Sequence, residues 1–338
     1  MPEPFDALAC DLARFQARAT AGFARLCHAR GVDPAALTDA GAIPAVPTDA
    51  FKLTRVATFP EAEAEATFRT SGTTADVRGT HQMRDVSTYD RGAIAFGRRW
   101  LLRDRERISI AVLGPRAVTD SSLQHMCARF AEAFGEPASH EETFLIDGDV
   151  IDVSVFDERV AAALAHGRPM LVLATSFALV HFLDAVGDDT FSLPPGSRVM
   201  QTGGFKGRSR EVGAEQLRSE LARVFDVDPR AIVAEYGMTE LSSQFYERTL
   251  WEPDTPHNRY AEPPWARVVP VDPDTLAPVA DGEIGIAKVI DLLNVDSAVA
   301  ILTQDRVRRI GDSFELLGRA PGAPSRGCSI AIDDLLGG

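Results

Sequence analysis

Lysine is scarce in this sequence: the 35 basic residues include only Lys52, Lys206 and Lys288, and the others are arginines. A basic excess is missing too, because 49 acidic residues give the chain a formal net charge of −14. Proteins that bind nucleic acids present a basic surface to the phosphates, so this balance argues against a nucleic-acid partner. Few lysines are therefore present for any chemistry that needs an ammonium group.

Long apolar runs and paired cysteines are also missing. No stretch approaches the roughly 18 consecutive apolar residues that indicate a membrane-spanning helix. Residues 1–6 lack the basic and apolar regions of a signal peptide. The four cysteines are widely scattered, without the spacing of a disulfide framework or a metal site. We therefore expect a reduced, cytoplasmic protein with no membrane partner.

Apolar runs of strand length alternate with helical patterns through the middle of the chain. The runs fall at Ile108–Leu113, Met170–Ala174, Arg198–Gln201 and Ala231–Glu235, and the helical patterns at 121–134, 157–166, 176–186 and 211–224. Such alternation is typical of βαβ units with parallel strands. After about residue 265 the helical patterns stop, and short apolar runs predict a small antiparallel sheet or barrel. The sequence thus predicts an α/β fold in βαβ layers with a small β-rich C-terminal part.

These patterns divide the chain into three segments. Residues 1–60 combine helical patterns over 5–30 with a proline-broken, extended stretch at 43–52, and we expect them to pack on the core. Residues 61–264 form the α/β core, and residues 265–338 form the β-rich part.

A dense run of hydroxyl residues precedes the first α/β pattern. Ser71, Gly72, Thr73 and Thr74 form its centre, and Arg78 follows closely. Hydroxyl groups and backbone N–H groups of such a loop can surround phosphate oxygens, and a glycine lets the ligand approach the backbone. Taken alone, the run is more often an ordinary turn.

Paired glycines follow one predicted strand. In open α/β sheets, ligands bind at the carboxyl ends of the strands. Gly203 and Gly204 lie at such an end and would let a flat ring rest against the backbone. A plain strand-to-helix turn explains the two glycines equally well.

A second predicted strand ends in the segment Tyr236-Gly237-Met238-Thr239-Glu240. Tyr236 offers a face for stacking, Thr239 a hydroxyl group, and Glu240 a carboxylate that could hold Mg²⁺ beside phosphate oxygens. Alternatively, the Thr-Glu pair caps a helix that begins at Leu241.

An aspartate and an arginine stand out in the β-rich part. Asp305 could accept hydrogen bonds from both hydroxyls of a ribose, and Arg319 could reach the ribose or a phosphate. Either residue alone is more often part of a surface salt bridge.

In this order, the motifs resemble the signature of the adenylate-forming enzymes over roughly residues 65–320. That superfamily includes acyl- and aryl-CoA ligases, nonribosomal adenylation domains and luciferases, which use ATP and Mg²⁺ to activate a carboxylate as acyl-AMP. The resemblance implies the fold of their N-terminal domain. It implies phosphate contacts at Ser71, Gly72, Thr73, Thr74 and Arg78, an adenine site at Gly203, Gly204, Tyr236 and Gly237, AMP and Mg²⁺ contacts at Thr239 and Glu240, and ribose contacts at Asp305 and Arg319.

Two departures from that signature concern lysine. The usual Pro-Lys-Gly at the end of the phosphate loop is Val77-Arg78-Gly79 here. The sequence ends soon after Arg319, so we expect the mobile C-terminal domain of the large ligases, with its catalytic lysine, to be absent. No lysine follows Lys288 to replace it.

The segment from Gly318 to Ser329 looks like the C-terminus of the acyl-protein synthetases, the LuxE-like enzymes of bacterial fatty-acid reductase systems. In that family a cysteine near the C-terminus takes the acyl group from acyl-AMP and passes it to a cysteine of a partner acyl reductase. Cys328 occupies that position, outside any predicted helix, and Arg326 would favour its thiolate. The alternative is a buried thiol in a strand that continues through Ile330 and Ile332.

The resulting hypothesis is an ATP- and Mg²⁺-dependent acyl-protein synthetase. It would activate a carboxylic acid, by resemblance a fatty acid, load it on Cys328, and pass it to a partner such as an acyl reductase. One alternative is a truncated ligase that delivers acyl-AMP to CoA or another small acceptor, with Cys328 structural. The other is a non-catalytic nucleotide-binding subunit that regulates a partner.

Overall fold

In the computed structural model, the described residues are 4–70, 78–117, 119–203, 213–320 and 326–336, the last range with its side chains from 331 onward. The α-helices are α1 Pro4–Ala19, α2 Ala21–Ala29, α3 Ala50–Leu53, α4 Ser87–Leu101, α5 Ser122–Phe134, α6 His140–Thr143, α7 Val153–Ala165, α8 Ser176–Val186, α9 Ala214–Phe225 and α10 Arg326–Leu336. Short 3-10 helices lie at Pro34–Ala36, Ala40–Ala42, Glu61–Glu63 and Pro229–Ala231. None of the described helices is long and apolar enough to span a membrane.

The strands are β1 Val46–Pro47, β2 Ala66–Arg69, β3 Thr80–Met83, β4 Ser109–Pro115, β5 Phe144–Asp147, β6 Val150–Ile151, β7 Met170–Thr175, β8 Arg198–Thr202, β9 Ile232–Tyr236, β10 Phe245–Glu247, β11 Arg259–Ala261, β12 Ala266–Val271, β13 Ile284–Asp291, β14 Ala300–Ile310 and β15 Ser313–Arg319. The chain divides into two compact units. The antiparallel-sheet unit comprises Met1–Gly92, Met238–Phe245 and Asn258–Gly338, and the parallel-sheet unit comprises Ala93–Gly237 and Tyr246–His257. The division into three segments at 60 and 264 stays a prediction.

The parallel-sheet unit contains the alternating elements that the sequence predicts. Its strand order is β10-β9-β8-β7-β4-β5-β6, and β4, β7, β8 and β9 run parallel to one another. Strands β7, β8 and β9 are almost wholly buried, as expected of parallel strands covered by helices on both faces. The core includes packed phenylalanine rings from α7, α8, α9 and the α8–β8 connection: Phe156, Phe182, Phe191 and Phe225. The predicted α/β fold is therefore confirmed.

One helix of this unit begins earlier than predicted. The sequence predicts a helix over 157–166, whereas α7 begins at Val153. The carboxylate of Asp152 accepts a hydrogen bond from the backbone N–H of Val155 and so caps the first turn. An aspartate cap fixes this start, which the apolar spacing alone does not mark.

The antiparallel-sheet unit contains the predicted β-rich part. Its strand order is β12-β13-β14-β15-β11, with antiparallel pairing throughout, and β1 adds to β14 in parallel. The unit also contains the antiparallel hairpin β2–β3, which the sequence analysis missed. In the chain, the hydroxyl-rich run at 71–74 lies between these two strands.

The N-terminal helical pattern forms two helices rather than one. It is interrupted at Thr20, which has an extended conformation (φ −127°, ψ 111°) and donates its hydroxyl to the carbonyl oxygen of Gln16 over 2.7 Å. Cys10 in α1 and Cys27 in α2 are both buried in the core. The second helix, α2, provides a packing face for α10, which carries Cys328.

Candidate active site

The base of the hydroxyl-rich loop is closed by hydrogen bonds. Thr70 N–H donates to the carbonyl oxygen of Gly79 over 2.9 Å, and Gly79 N–H donates to Thr70 Oγ1 over 2.9 Å. The Arg78 guanidinium folds back on the same hairpin and donates to the carbonyl oxygens of Thr70 (2.7 Å) and Arg69 (3.2 Å). The four predicted phosphate-binding residues of this loop lie outside the described residues: Ser71, Gly72, Thr73 and Thr74. Arg78 therefore holds the loop base, and its phosphate contact stays a prediction.

His81 ties this hairpin to the Thr-Glu segment. It lies in β3, is 1% exposed, and its Nδ1 is 2.7 Å from the carbonyl oxygen of Thr239. Because a carbonyl oxygen only accepts, Nδ1 carries the hydrogen. Burial lowers the pKa of His81 to about 4, so the imidazole is neutral at pH 7. The sequence analysis missed His81. Its position two residues after Gly79, close to the end of the predicted phosphate loop, is the one feature of the sequence that could have indicated it.

A tight turn carries Thr239 and Glu240. Leu241 N–H donates to the carbonyl oxygen of Met238 over 3.1 Å, and the Asn294 amide donates to the carbonyl oxygen of Glu240 over 2.9 Å. No helix begins at Leu241, so the alternative in which the Thr-Glu pair caps a helix is wrong. Thr239 is half-buried and Glu240 is 6% exposed. The turn is thus fixed through its backbone, by His81 on one side and Asn294 on the other.

A buried polar network supports the turn from below. Asp291 is fully buried and accepts hydrogen bonds from Ser242 N–H (2.9 Å), Ser243 Oγ (2.7 Å) and Leu293 N–H (3.0 Å). Burial raises the pKa of Asp291 to about 6, and the donated hydrogen bonds act in the opposite direction. Ser242 Oγ donates to Asn294 Oδ1 over 2.6 Å. Sequence analysis missed this network, because its partners are about 50 residues apart in the chain.

The one predicted metal ligand is Glu240. Among the residues that the structure describes, no group of three or more His, Cys, Asp and Glu side chains could hold a metal ion by itself. Mg²⁺ bound with a nucleotide commonly uses one or two carboxylates together with substrate phosphates. A single carboxylate is compatible with this mode of Mg²⁺ binding, and the role of Glu240 stays a prediction.

The predicted ribose residues face each other across two strands. Asp305 in β14 pairs with Arg319 in β15, and Arg319 Nε lies 3.9 Å from Asp305 Oδ1. The register shifts between Asp305 and Val307, and Asp305 N–H donates to Thr303 Oγ1 over 3.0 Å. The Arg319 side chain is 71% exposed, so this loose ion pair leaves the guanidinium accessible to a ligand.

In the parallel-sheet unit, two strand ends bring the predicted adenine residues to one edge. Thr202 pairs with Glu235 in the parallel register of β8 and β9, so Gly203 and Tyr236 lie at the same ends of neighbouring strands. Gly203 is exposed and has φ +71°, a conformation that favours glycine. Tyr236 is 7% exposed. Gly204 lies outside the described residues.

Glu235 is a buried carboxylate beneath this edge. It accepts a hydrogen bond from the Thr202 hydroxyl, and burial raises the pKa of Glu235 to about 7. A Cβ on Gly237 would collide with Glu235 Oε1, so a glycine is required at 237 while this carboxylate keeps its place. Glu235 was absent from the sequence-based list of site residues.

The structure corrects the prediction for the cysteine near the C-terminus. Cys328 lies in α10, so it is wrong that this residue stands outside a helix, and the alternative of a buried strand is wrong too. Ile330 and Ile332 suggested alternation, but Ala331 and Leu335 are the buried pair, and a spacing of four is helical. The role of Cys328 as acyl acceptor stays a prediction.

The other three cysteines are poor candidates for a nucleophile. All three are buried: Cys10, Cys27 and Cys127. Burial raises the pKa of Cys27 to about 11 and that of Cys127 to about 12, and it raises the pKa of Cys10 as well. Because the thiolate is the reactive form, these thiols are held in their unreactive state.

Comparisons with known proteins agree with this arrangement. Two curated proteins named "Long-chain-fatty-acid--luciferin-component ligase" are similar to the chain. The one from Aliivibrio fischeri is 24% identical over 315 residues, covering 87% of this chain and 79% of that protein. The one from Vibrio harveyi is 22% identical over 330 residues, covering 92% and 82%.

Solved structures of adenylate-forming ligases share the fold. The structure of 2-hydroxyisobutyryl-CoA ligase with 2-HIB-AMP has a TM-score of 0.64 at 12% identity, covering 94% of this chain and 69% of that one. ATP-bound MatB from Rhodopseudomonas palustris has a TM-score of 0.51 at 13% identity, and the chain spans about half of MatB, 51% of its length. A family model described as "Acyl-protein synthetase, LuxE" matches residues 7–337. Because that match covers nearly the whole sequence, the chain belongs to the LuxE family of acyl-protein synthetases.

Proposed function

We propose that this protein activates a fatty acid with ATP as acyl-AMP, transfers the acyl group to Cys328 as a thioester, and then passes it to a partner protein. The observation that carries the proposal is the hydrogen bond from His81 to Thr239. It ties the hairpin of the predicted phosphate loop to the turn that carries Thr239 and Glu240. The family, the fold and the order of the motifs support the same chemistry.

In the first step, a carboxylate oxygen of the acid attacks the α-phosphorus of ATP. The bond between that phosphorus and the bridging oxygen breaks, and pyrophosphate leaves with the electron pair. Hydroxyl and N–H groups of the loop at 71–74 would stabilise the charge that develops on the phosphates. Mg²⁺, when bound, supplies positive charge at the phosphates, and Glu240 is the residue that we expect to hold it.

In the second step, the Cys328 thiolate attacks the acyl carbon of acyl-AMP. A carbon–sulfur bond forms, the carbon–oxygen bond to the phosphate breaks, and AMP leaves with the electron pair. The three buried cysteines, with their raised pKa values, are unsuited to this step. Cys328 is therefore the acceptor that the chemistry favours.

The names of the curated relatives support the proposed substrate class. Both are named as ligases of a long-chain fatty acid and a luciferin component. We extend the long-chain fatty acid to this chain, and we expect the final acceptor to be a thiol of an acyl reductase.

Intact-protein mass spectrometry tests the proposal. The protein is incubated with ATP, Mg²⁺ and fatty acids of different chain length, in parallel with Cys328→Ser and with Cys10→Ser as the matched cysteine control. We expect a hydroxylamine-labile acyl adduct on the wild type and on Cys10→Ser but not on Cys328→Ser, with acyl-AMP and pyrophosphate formed by all three.

Three results would contradict parts of the proposal. An adduct on Cys328→Ser would move the acceptor to another residue. AMP and a CoA thioester formed without any protein adduct would assign the acyl group to a small acceptor and leave Cys328 structural. ATP binding without AMP formation for any acid would identify a nucleotide-binding subunit instead of an enzyme.

A further inference from the structure

Adenylation needs positive charge at the phosphates, and Arg78, the cation of the predicted loop, is already engaged. Its guanidinium donates to the carbonyl oxygens of Thr70 and Arg69 at the loop base. Two of its N–H groups are committed to the loop base, which limits how far the guanidinium can move toward a phosphate. A second cation near the hairpin is therefore of interest.

Two of the three lysines lie among the described residues, and their surroundings differ sharply. Lys288 is 6% exposed, its Nζ donates to the carbonyl oxygen of Gly41 over 2.7 Å, and burial lowers its pKa to about 8. The Lys52 side chain is 45% exposed. Lys288 is a buried structural group, whereas the Lys52 ammonium is accessible to a ligand.

Lys52 lies against the base of the phosphate-loop hairpin. A Cβ built on Gly79 would be 3.3 Å from Lys52 Cγ and 3.4 Å from the backbone carbonyl carbon of Phe51. The ring of Phe51 in turn packs edge-on against His81, with the ring centroids 5.7 Å apart. The glycine thus lets α3 approach the hairpin closely, and the methylene stem of Lys52 passes over the loop base.

The Lys52 ammonium is also linked to the strand that carries the predicted ribose residue. Its Nζ lies 2.8 Å from Asp49 Oδ1, and the other oxygen, Asp49 Oδ2, accepts a hydrogen bond from Gln304 Nε2 over 2.8 Å. Gln304 directly precedes Asp305 in β14. The ammonium is therefore held between the loop base and the ribose side, all within the antiparallel-sheet unit.

We propose that the Lys52 ammonium contacts the phosphates of ATP and stabilises the negative charge that moves onto pyrophosphate as the bond to the α-phosphorus breaks. In ATP the phosphates extend away from the ribose. Lys52 lies between the predicted ribose residue, Asp305, and the base of the predicted phosphate loop, where the phosphates would be expected. When ATP binds, phosphate oxygens replace Asp49 as the partner of the ammonium. No proton moves in this step. The inference rests on the proposed function, because it assigns a role in the same adenylation.

Three variants test the role of Lys52. Lys52→Met removes the charge and keeps the length of the stem, Lys52→Arg restores a cation, and Asp49→Asn removes the competing carboxylate but keeps an acceptor for Gln304. Arg84→Met is the matched control, because Arg84 is 47% exposed and forms an ion pair with Asp296 in the same unit. Each protein is assayed for acid-dependent pyrophosphate exchange and for equilibrium binding of ATP and of adenosine.

For Lys52→Met we expect exchange to fall on the order of 100-fold, the usual loss when one stabilising donor is removed. ATP binding should weaken while adenosine binding is unchanged, and Lys52→Arg should recover part of both losses. Asp49→Asn should act in the opposite direction and tighten ATP binding by roughly two- to five-fold, as the loss of an exposed ion-pair competitor allows. Arg84→Met should match the wild type.

Equal losses of ATP binding in Lys52→Met and Asp49→Asn would overturn the inference, because they would show that the ion pair only supports the fold. Wild-type exchange and ATP binding in Lys52→Met would overturn it as well. A wild-type protein that exchanges no pyrophosphate with any acid would contradict the proposed adenylation instead. In that case the comparison of ATP with adenosine in Lys52→Met still decides whether Lys52 contacts phosphate.

Discussion

His81 donates from Nδ1 to the carbonyl oxygen of Thr239 over 2.7 Å, across 158 positions of the chain. The charged imidazolium could make the same bond, because its Nδ1 also carries a hydrogen. Burial, and not this bond, keeps the ring neutral. Burial does so by lowering the pKa of His81 to about 4. Acid should therefore lower the stability of the fold that buries His81, although protonation leaves the Nδ1 donor in place.

His81 should make folding stability depend on pH. Its pKa falls from 6.5 to about 4 on folding, so between pH 4 and 6.5 the folded protein binds fewer protons than the unfolded protein. The folding stability that is present above pH 6.5 is therefore lost as the pH falls toward 4. At about 1.4 kcal/mol per pH unit, the loss by pH 4.5 is about 2 to 3 kcal/mol. His81→Gln can still donate to Thr239 but does not titrate in this range. Urea unfolding between pH 7 and 4.5 should show a steeper decline for the wild type; parallel declines would refute the prediction.

Glu235 should make folding stability depend on pH in the direction opposite to His81. Its pKa rises from 4.5 to about 7 on folding, so the stability that it contributes is fully present below pH 4.5 and is lost as the pH rises through 7. Glu235→Gln keeps an acceptor for the Thr202 hydroxyl and removes the buried charge. We expect this variant to exceed the wild type by about 3 kcal/mol in free energy of unfolding at pH 8, with the difference vanishing near pH 4.5. Guanidinium unfolding at both pH values measures it, and a difference independent of pH would contradict the assignment.

Much of the fold could be predicted because its signals are local. The buried strands β7, β8 and β9 are short apolar runs, and helical spacing marks the helices between them. Gly203 and Tyr236 could be assigned to one sheet edge because both follow predicted parallel strands. The family signature added an expected role for each motif without information on any contact between the motifs.

The residues that support the site could not be predicted, because their hydrogen-bond partners lie far away in the chain. His81 and Asn294 have no distinctive local pattern, and their partners lie 158 and 54 positions away in the chain. Cys328 was misassigned for a different reason. Ile330 and Ile332 alternate as in a strand, and only the packing of Ala331 and Leu335 shows the helical period.

A buried ion pair supports β9, the strand that ends at Tyr236. Arg218 and Glu247 have side chains only 4% and 2% exposed, and Arg218 Nη2 lies 2.8 Å from Glu247 Oε2. The same carboxylate oxygen accepts a hydrogen bond from Ala234 N–H over 3.0 Å. Removing one member leaves a charge buried without its partner.

Arg218→Met should therefore lower the free energy of unfolding by about 3 to 5 kcal/mol. The control is Arg230→Met, because Arg230 and Asp228 form an ion pair with side chains 51% and 47% exposed. That exposed pair should contribute less than about 1 kcal/mol. Urea unfolding of both variants at pH 7 measures the two losses, and similar small losses in both would show that the buried pair contributes little.

The helix that carries Cys328 is anchored at its far end. Arg25 in α2 donates to the carbonyl oxygen of Leu335 from Nη2 (2.7 Å) and Nε (3.2 Å), and Arg30 Nε lies 3.1 Å from Asp334 Oδ2. Hydrogen bonds from a charged donor to a helix C-terminus stabilise its last turn. If α10 presents Cys328 to acyl-AMP, this anchor fixes where the thiol can go.

Arg25→Met should therefore slow acylation of Cys328 by roughly ten-fold, in line with the loss of one charged hydrogen bond. Pyrophosphate exchange, which precedes the thiol step, should keep its wild-type rate. The matched control is Arg168→Met, which removes the surface ion pair between Arg168 and Glu136 in the parallel-sheet unit, and it should change neither rate. Time-resolved mass spectra of the acyl adduct, measured beside the exchange assay, separate the two steps. A parallel fall of both rates in Arg25→Met would mean that α2 and α10 support the adenylation site itself, whereas unchanged acylation would mean that Cys328 reaches acyl-AMP without this anchor.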